Sequence, residues 1–565
     1  MLSRRHFVKI FMAAVAAASS GCFSQKRKQR SKPLPSSKIP TKSAWKFGIM
    51  SDSQWMGDDN GKNPASCAVE IINALNAEFI RHGVELVLQV GDLTDSGKKP
   101  FAVYNKSTDK TDVYSPADAM GVRARYAQAL YNSGIAFFPI RGNHDDSQIA
   151  AVEFLQHFPQ TAGGWQNDEK AQIRAYGAFN PDAANLPDIR RTTGSFKLGT
   201  DFSFPSAKLK GLSYSFDHKN VRFITADQYE AADGFEHTIR SQQKWIISRL
   251  KDRDKSGHAM VFTHKGLLTQ HNRGILFGAE PSASTPGQDE FIKAMKDNGA
   301  RYLICGHDHM HDRSRVYTKD GETAYVNQLI TASNSSKFYF PRRPSNDEVF
   351  CEGKRQKLIS QELFAIGYYI VTIDGDHMTF DYYSSLCRTG DTIADTPYLT
   401  FSHKETFGCS LNGKDFFIEY GKPYSAVDIT SESGTRAKII GGVNTRDAKD
   451  FAGRRFSVEV NAGFYPQDSA TAGDILSLRG MDFSTVNTDI FTLSVSYNTG
   501  EPVLAKLGTD GFWRNAADFN IGGVKQFVKG AWKPEYPLGT YGADTSSKTV
   551  WAVVNTNGIF APVIF

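Results

Sequence analysis

Ile135-Ala-Phe-Phe-Pro-Ile-Arg-Gly-Asn-His-Asp145 is the stretch on which the reading of the chain turns. An apolar, aromatic run of this kind makes a buried strand. It stops abruptly at Gly142-Asn143-His144-Asp145, and open α/β folds place their ligands at the carboxyl edge of such strands. Asn143 offers a neutral oxygen to a metal, His144 a proton, and Asp145 a carboxylate to orient His144. Four other apolar runs end in matching chemistry. Lys46–Met50 leads into Ser51-Asp52-Ser53-Gln54, and Val84–Val90 into Gly91-Asp92-Leu93-Thr94-Asp95. Ala259–Thr263 ends in His264, and Arg301–Cys305 in Gly306-His307-Asp308-His309.

Helical spacing fills the intervals. Ser66 is placed to cap a helix reaching Ile80, with further helices at Arg123–Tyr131, Thr238–Leu250 and Asp289–Asn298. Leu212–Asp227 reads as a hairpin, and strands near Tyr368–Ile373 and Met378–Tyr383 complete the sheets. Residues 160–211 are rich in Gly, Asp and Pro and read as an insertion at the mouth of the site.

The strand ends together mix hard oxygen donors with imidazoles and contain no thiolate. That donor set suits Mn²⁺, Fe or Zn²⁺, admits Mg²⁺, and argues against copper or iron–sulfur chemistry. Two such cations need a shared ligand, and the Asp92 carboxylate is the natural bridge.

The ordered series Asp-x-Gln, Gly-Asp-x-x-Asp, Gly-Asn-His-Asp, His, Gly-His-x-His resembles the calcineurin-like metallophosphoesterase superfamily over roughly residues 45–385. The resemblance implies a four-layer α/β/β/α sandwich around a dinuclear centre. It assigns one divalent ion to Asp52, Gln54, Asp92 and His309, and the other to Asp92, Asn143, His264 and His307. His144 would face the leaving group with Asp145 behind it, while a hydroxide bridging the metals attacks phosphorus. One position departs from the pattern: the first motif usually reads Asp-x-His, and Gln54 stands in the His place. An amide oxygen is a poorer donor than imidazole, so a shifted metal preference is expected, with catalysis kept.

Around this core, smaller signals set context. Arg4-Arg5 ahead of the short apolar run Ile10–Ala18 reads as a twin-arginine export signal, too short to span a bilayer. Ser19-Ser20-Gly21-Cys22 resembles a lipoprotein cleavage site, which makes Cys22 a candidate lipid anchor at the periplasm or cell surface. Residues 23–44 are a basic tether with no acidic residue. Of 66 Lys plus Arg, 11 lie in residues 1–46, leaving 55 against 60 acidic residues in the body. The basic excess belongs to the tail, so nothing in the body reads as a nucleic-acid-binding module. The domains expected are therefore a signal at 1–22, a linker at 23–44, the α/β domain at 45–400 and an all-β sandwich-like domain at 401–565 whose partner the sequence does not name.

Other residues carry plainer expectations. His311, Arg313 and Arg315 follow the last motif and read as a solvated loop, with contact to a phosphate the alternative, and Asp95 reads as bonding within its own motif. Lys265, His271 and Arg273 fall on a loop after His264 that borders the site. Cys67 and Cys305 read as inert thiols, and Cys351, Cys387 and Cys409 as disulfide candidates. The activity expected is hydrolysis of small phosphate mono- or diesters. The alternatives are a 5′-nucleotidase-like enzyme and a cell-surface binding protein with an inactive metal centre.

Overall fold

A computed structural model describes residues 34–35, 44–56, 61–95, 99–163, 200–278, 281–319, 323–341, 355–387, 391–445, 457–482 and 487–565. Arg4, Arg5, Cys22, Cys351 and most of the 160–211 insertion lie outside the described residues. Among the described residues no helix is long and apolar enough to cross a membrane.

Three short parallel strands seed the first sheet: Trp45–Met50, Leu86–Val90 and Ala136–Ile140. They extend antiparallel through Ala365–Asp374, His377–Leu386 and Ser402–Ser410. In the second, eight-stranded sheet, Val221–Ala226, His258–Thr263, Tyr302–Cys305 and Tyr325–Ile330 run parallel. The sheets face each other across one apolar layer, in which Phe47, Ile49, Leu88 and Phe138 meet Phe223, Phe262 and Ile304. Each fully buried side chain of this size contributes roughly 1.5–3 kcal/mol. Helix Val69–His82 covers the outer face of the first sheet with Ile72, Leu75 and Phe79. Helices Ile239–Lys251 and Pro281–Asp297 cover the second. The result is the expected α/β/β/α arrangement, and all five polar strand ends emerge along one edge of it.

The C-terminal region is rich in strands. Six of its strands, including Ser457–Tyr465, Ile475–Arg479 and Gly558–Val563, form one sheet and pack on six others, including Phe491–Ser496 and Thr549–Val554. Val460, Leu478 and Phe560 on one sheet meet Leu493, Val495 and Val550 on the other.

Several expectations need correcting. Ser402–Ser410 belongs to the first sheet of the α/β domain, pairing with His377–Leu386, although the change in composition near 400 set it beyond the boundary. Within the expected tether, Leu34–Pro35 pairs with Phe512–Trp513. Ser66 does not cap the first helix, whose N-cap is Ala68, and its hydroxyl instead accepts from the Asp95 amide at 3.0 Å. Arg123–Tyr131 divides between helices Pro116–Arg125 and Gln128–Asn132. Cys387 and Cys409 are buried free thiols, packed into the cores on opposite faces of one sheet.

His311, Arg313 and Arg315 form no solvated loop. They lie on the buried strand His311–Tyr317, against which the C-terminal region docks. Arg313 pairs with Glu405 and, at 3.1 Å, with Glu459. Arg315 reaches Glu459 at 2.8 Å, and His311 faces Glu405 at 3.3 Å. Glu459 comes from the β-sandwich strand Ser457–Tyr465, so two domains complete one buried network. Deleting one member of such a network leaves an uncompensated buried charge. Glu459→Ala is therefore expected to lower stability by ~3–5 kcal/mol, read as a fall in the urea midpoint. Glu419→Ala, on the exposed face nearby, should stay within ~0.5 kcal/mol.

Candidate metal centre

At three of the five strand ends the backbone turns sharply as the strand stops. Asp52, Asp92, His307 and His309 all take positive φ, at 48°, 44°, 74° and 51°. Non-glycine residues adopt this region rarely and at a cost of ~1–3 kcal/mol each, and such strain clusters at functional sites. Glycine makes the close approaches. A Cβ on Gly142 would sit 2.0 Å from Asp92 Oδ1, and one on Gly306 would sit 2.4 Å from Asp52 Oδ2.

Asp92 is the hub. Its Oδ1 accepts the His144 amide at 2.9 Å. Its Oδ2 accepts Gln54 Nε2 at 3.0 Å and lies 3.2 Å from His264 Nε2. Asp52 accepts the His307 amide at 3.1 Å and the Ser51 hydroxyl at 2.5 Å, and stands 3.5 Å from His309 Nε2. Asn143 Oδ1 is 3.1 Å from His264 Nε2. Two sets of donor atoms result, Asp92 with His264 and His307, and Asp52 with Asp92 and His309, each mutually within 4.8 Å. Asp92 belongs to both.

The histidine tautomers fit metal binding. His264 Nδ1 donates to the Val90 carbonyl at 3.0 Å, and His309 Nδ1 to the Lys337 carbonyl at 3.1 Å. Committing Nδ1 to a carbonyl turns Nε2 toward the centre, as around metal-bound imidazoles, although Nε2 of His264 must first give up the proton it shares with Asp92. His307 Nε2 and Gln54 Oε1 are buried with no hydrogen-bond partner. Gln54 turns its NH₂ toward Asp92 and His309 (3.0 and 3.3 Å), and the flipped amide would present Oε1 to the centre instead. Orphaned acceptors around a buried carboxylate are what a divalent cation would satisfy. The residues present fit a divalent ion.

Electrostatics agree with the geometry. Burial pushes the Asp52 carboxyl up to about 7, helped by the charge on Asp92. Burial also opposes ionisation of Asp92, but His264 and His144 outweigh it and hold that carboxyl well below the usual range. Burial disfavours a cationic His264, yet Asp92 and Asp52 carry its pKa up to about 9. Burial and then the Lys337 charge drive His309 down to about 3, so its imidazole is neutral.

Asp145 does not stand behind His144. Its carboxylate accepts the Leu93 amide at 2.7 Å and the Thr94 amide and hydroxyl at 3.2 and 3.0 Å. It thereby clamps the turn that carries Asp92, and burial followed by the Asp92 charge raises its pKa to about 7. The carboxylate that meets His144 is Asp95, 2.8 Å from Nδ1. Asp95 thus reaches outside its own motif. Sequence neighbourhood favoured Asp145, whereas the spacing within Gly-Asp-x-x-Asp was the signal that could have identified Asp95. Lys337, which meets Asp95 at 2.6 Å, has no motif around it and could not have been found that way.

Of the bordering loop, His271 stacks on Tyr339 with ring centroids 4.3 Å apart, and Tyr339 lies edge-on to His309 at 4.9 Å. The Asp308 carboxylate holds the loop by accepting the Gln270 and Asn272 amides at 2.5 and 3.0 Å. Lys265 lies 5.8 Å from the Tyr229 ring, and Arg273 is exposed.

Comparison with known proteins places this edge in context. The family model described as calcineurin-like phosphoesterase matches residues 46–311, which contain all five strand ends. No curated protein matches the chain. Among solved structures, a purple acid phosphatase from yellow lupin (Lupinus luteus) seeds is 12% identical with a TM-score of 0.35, covering 66% of this chain and 55% of its own. The chain therefore spans little more than half of the lupin protein. An anchor of the inner membrane complex of Plasmodium is 14% identical (TM-score 0.31, 63% and 88% covered). A dimetal phosphatase from Danio rerio is 14% identical (TM-score 0.28, 60% and 95% covered).

With Asp52 and His264 as ligands, metal binding would displace protons, because Asp52 would have to ionise and His264 to become neutral. Both pKa values are raised, to about 7 and about 9, so the apparent affinity for Mn²⁺ should rise with pH across that interval. Titration calorimetry in buffers of different ionisation enthalpy should register proton release at neutral pH. Affinity that stays flat between those two values would show that neither group is a ligand.

Proposed function

We propose that this chain is an exported phosphoesterase that hydrolyses small phosphate mono- or diesters with two divalent ions. The observation that carries the reading is the pair of donor sets sharing Asp92. Asp52, Gln54, Asp92 and His309 would hold one ion, and Asp92, Asn143, His264 and His307 the other. When bound, the pair would supply Lewis acidity toward the ester and a water acidic near neutral pH.

The rest of the chemistry falls to the chain itself. Asp95 fixes His144 through Nδ1, leaving Nε2 as the nitrogen from which a proton can be given to the departing oxygen. Among the chain's own groups, burial disfavours the imidazolium, but Asp92 and the hydrogen bond to Asp95 outweigh it and raise the His144 pKa. The His144 side chain is 29% exposed, enough to meet a substrate arriving from solvent. Asp145 keeps the Asp92 turn in register, a supporting role in place of the one first expected. Export is supported by Arg4-Arg5 and the apolar run after it, with Cys22 as the proposed lipid anchor.

The test is hydrolysis of an aryl phosphate monoester and the matching diester by Mn²⁺-loaded protein. His144→Asn should retain its metal and lose ~10²–10⁴-fold in turnover of an alkyl ester, whose leaving group needs the proton, and far less on the aryl esters, while Asp92→Asn should lose metal altogether. Metal bound with neither ester turned over would favour a binding protein instead.

A further inference from the structure

Resting on the reading of His144 as proton donor, we propose that Lys337 is a positioning residue for that transfer and acts through Asp95. The Lys337 ammonium donates to Asp95 Oδ1 at 2.6 Å, and the same oxygen lies 2.8 Å from His144 Nδ1. The lysine is buried, its side chain 9% exposed, and Asp95 is 10% exposed, so the contact is shielded from solvent and salt. The Asp95 backbone is tied down separately, through its amide to Ser66 Oγ. Its side-chain direction is therefore set by the two groups that share Oδ1.

Lys337 also touches the other side of the centre. Its carbonyl accepts His309 Nδ1 at 3.1 Å and the Ser333 hydroxyl at 2.8 Å. Its own amide donates to Ser335 Oγ at 3.1 Å, and the next residue, Phe338, is fully buried. One residue on a fastened segment thus orients a candidate metal ligand with its backbone and the proton donor with its side chain. A lysine serving only to fill space would not need its ammonium on the carboxylate that holds His144.

The two roles separate by leaving group. A p-nitrophenyl ester departs without a proton, whereas an alkyl phosphate needs one, so a misaligned donor harms the second far more than the first. In the full-length, Mn²⁺-loaded protein, Lys337→Met and Lys337→Gln are expected to lower kcat on the alkyl ester by on the order of 10²-fold and on the nitrophenyl ester by only about 3-fold. KM and metal content should hold, and Lys337→Arg, which keeps the cation, should recover most of the alkyl-ester rate. Equal losses on both esters, or an alkyl-ester rate untouched in both variants, would overturn the assignment. His144→Asn distinguishes the failures. If it discriminates between the esters and the Lys337 variants do not, only this inference falls. If it does not discriminate, the proton-donor reading falls and this inference with it.

Discussion

A carboxylate buried without a cation is among the least tolerable arrangements in a protein interior, and this fold buries Asp92 at the meeting point of five strand ends. Everything near it answers that constraint. Backbone amide, side-chain amide and imidazole all point their positive ends at the same two oxygens. The glycine before Asn143 lets one chain pass within contact of the carboxylate, and Asp145 fastens the turn on which Asp92 sits. The neutralisation these groups provide is partial. Divalent charge would complete the neutralisation, and His307 Nε2, buried beside Asp92 without a hydrogen-bond partner, is a nitrogen that could receive it.

Holding this arrangement strains the backbone. Four of the polar residues occupy left-handed conformations that cost free energy without making a contact of their own. The apolar layer between the sheets, with Phe47, Phe138, Phe223 and Phe262, is what makes that affordable. Stability from the interior is thus converted into fixed ligand positions at the edge.

How much of this was legible in the sequence differs residue by residue. The strand ends could be read because a buried strand advertises itself by composition and its next residues fall at a known edge. Asp145 and Asp95 were exchanged because adjacency along a chain says little about which carboxylate faces a ring across a turn. Ser402–Ser410 was assigned to the wrong side of the boundary because the shift in composition begins before the sheet ends. Arg313 and Arg315 looked solvated because charged residues usually are; their partners, Glu405 and Glu459, lie 92 and 144 residues further along. Lys337 was invisible for the same reason, since its meaning depends wholly on a contact 242 residues away.

The network around Glu459 bears on how such a chain can be divided or recombined. The β-sandwich supplies the counter-charge for a strand that begins two residues after His309. A fragment cut between the two domains would keep all five motifs and yet leave two buried arginines without Glu459. Exchange of the C-terminal region for an unrelated module would do the same. Through this shared network the two domains depend on each other, and separating them leaves buried charge without its partner.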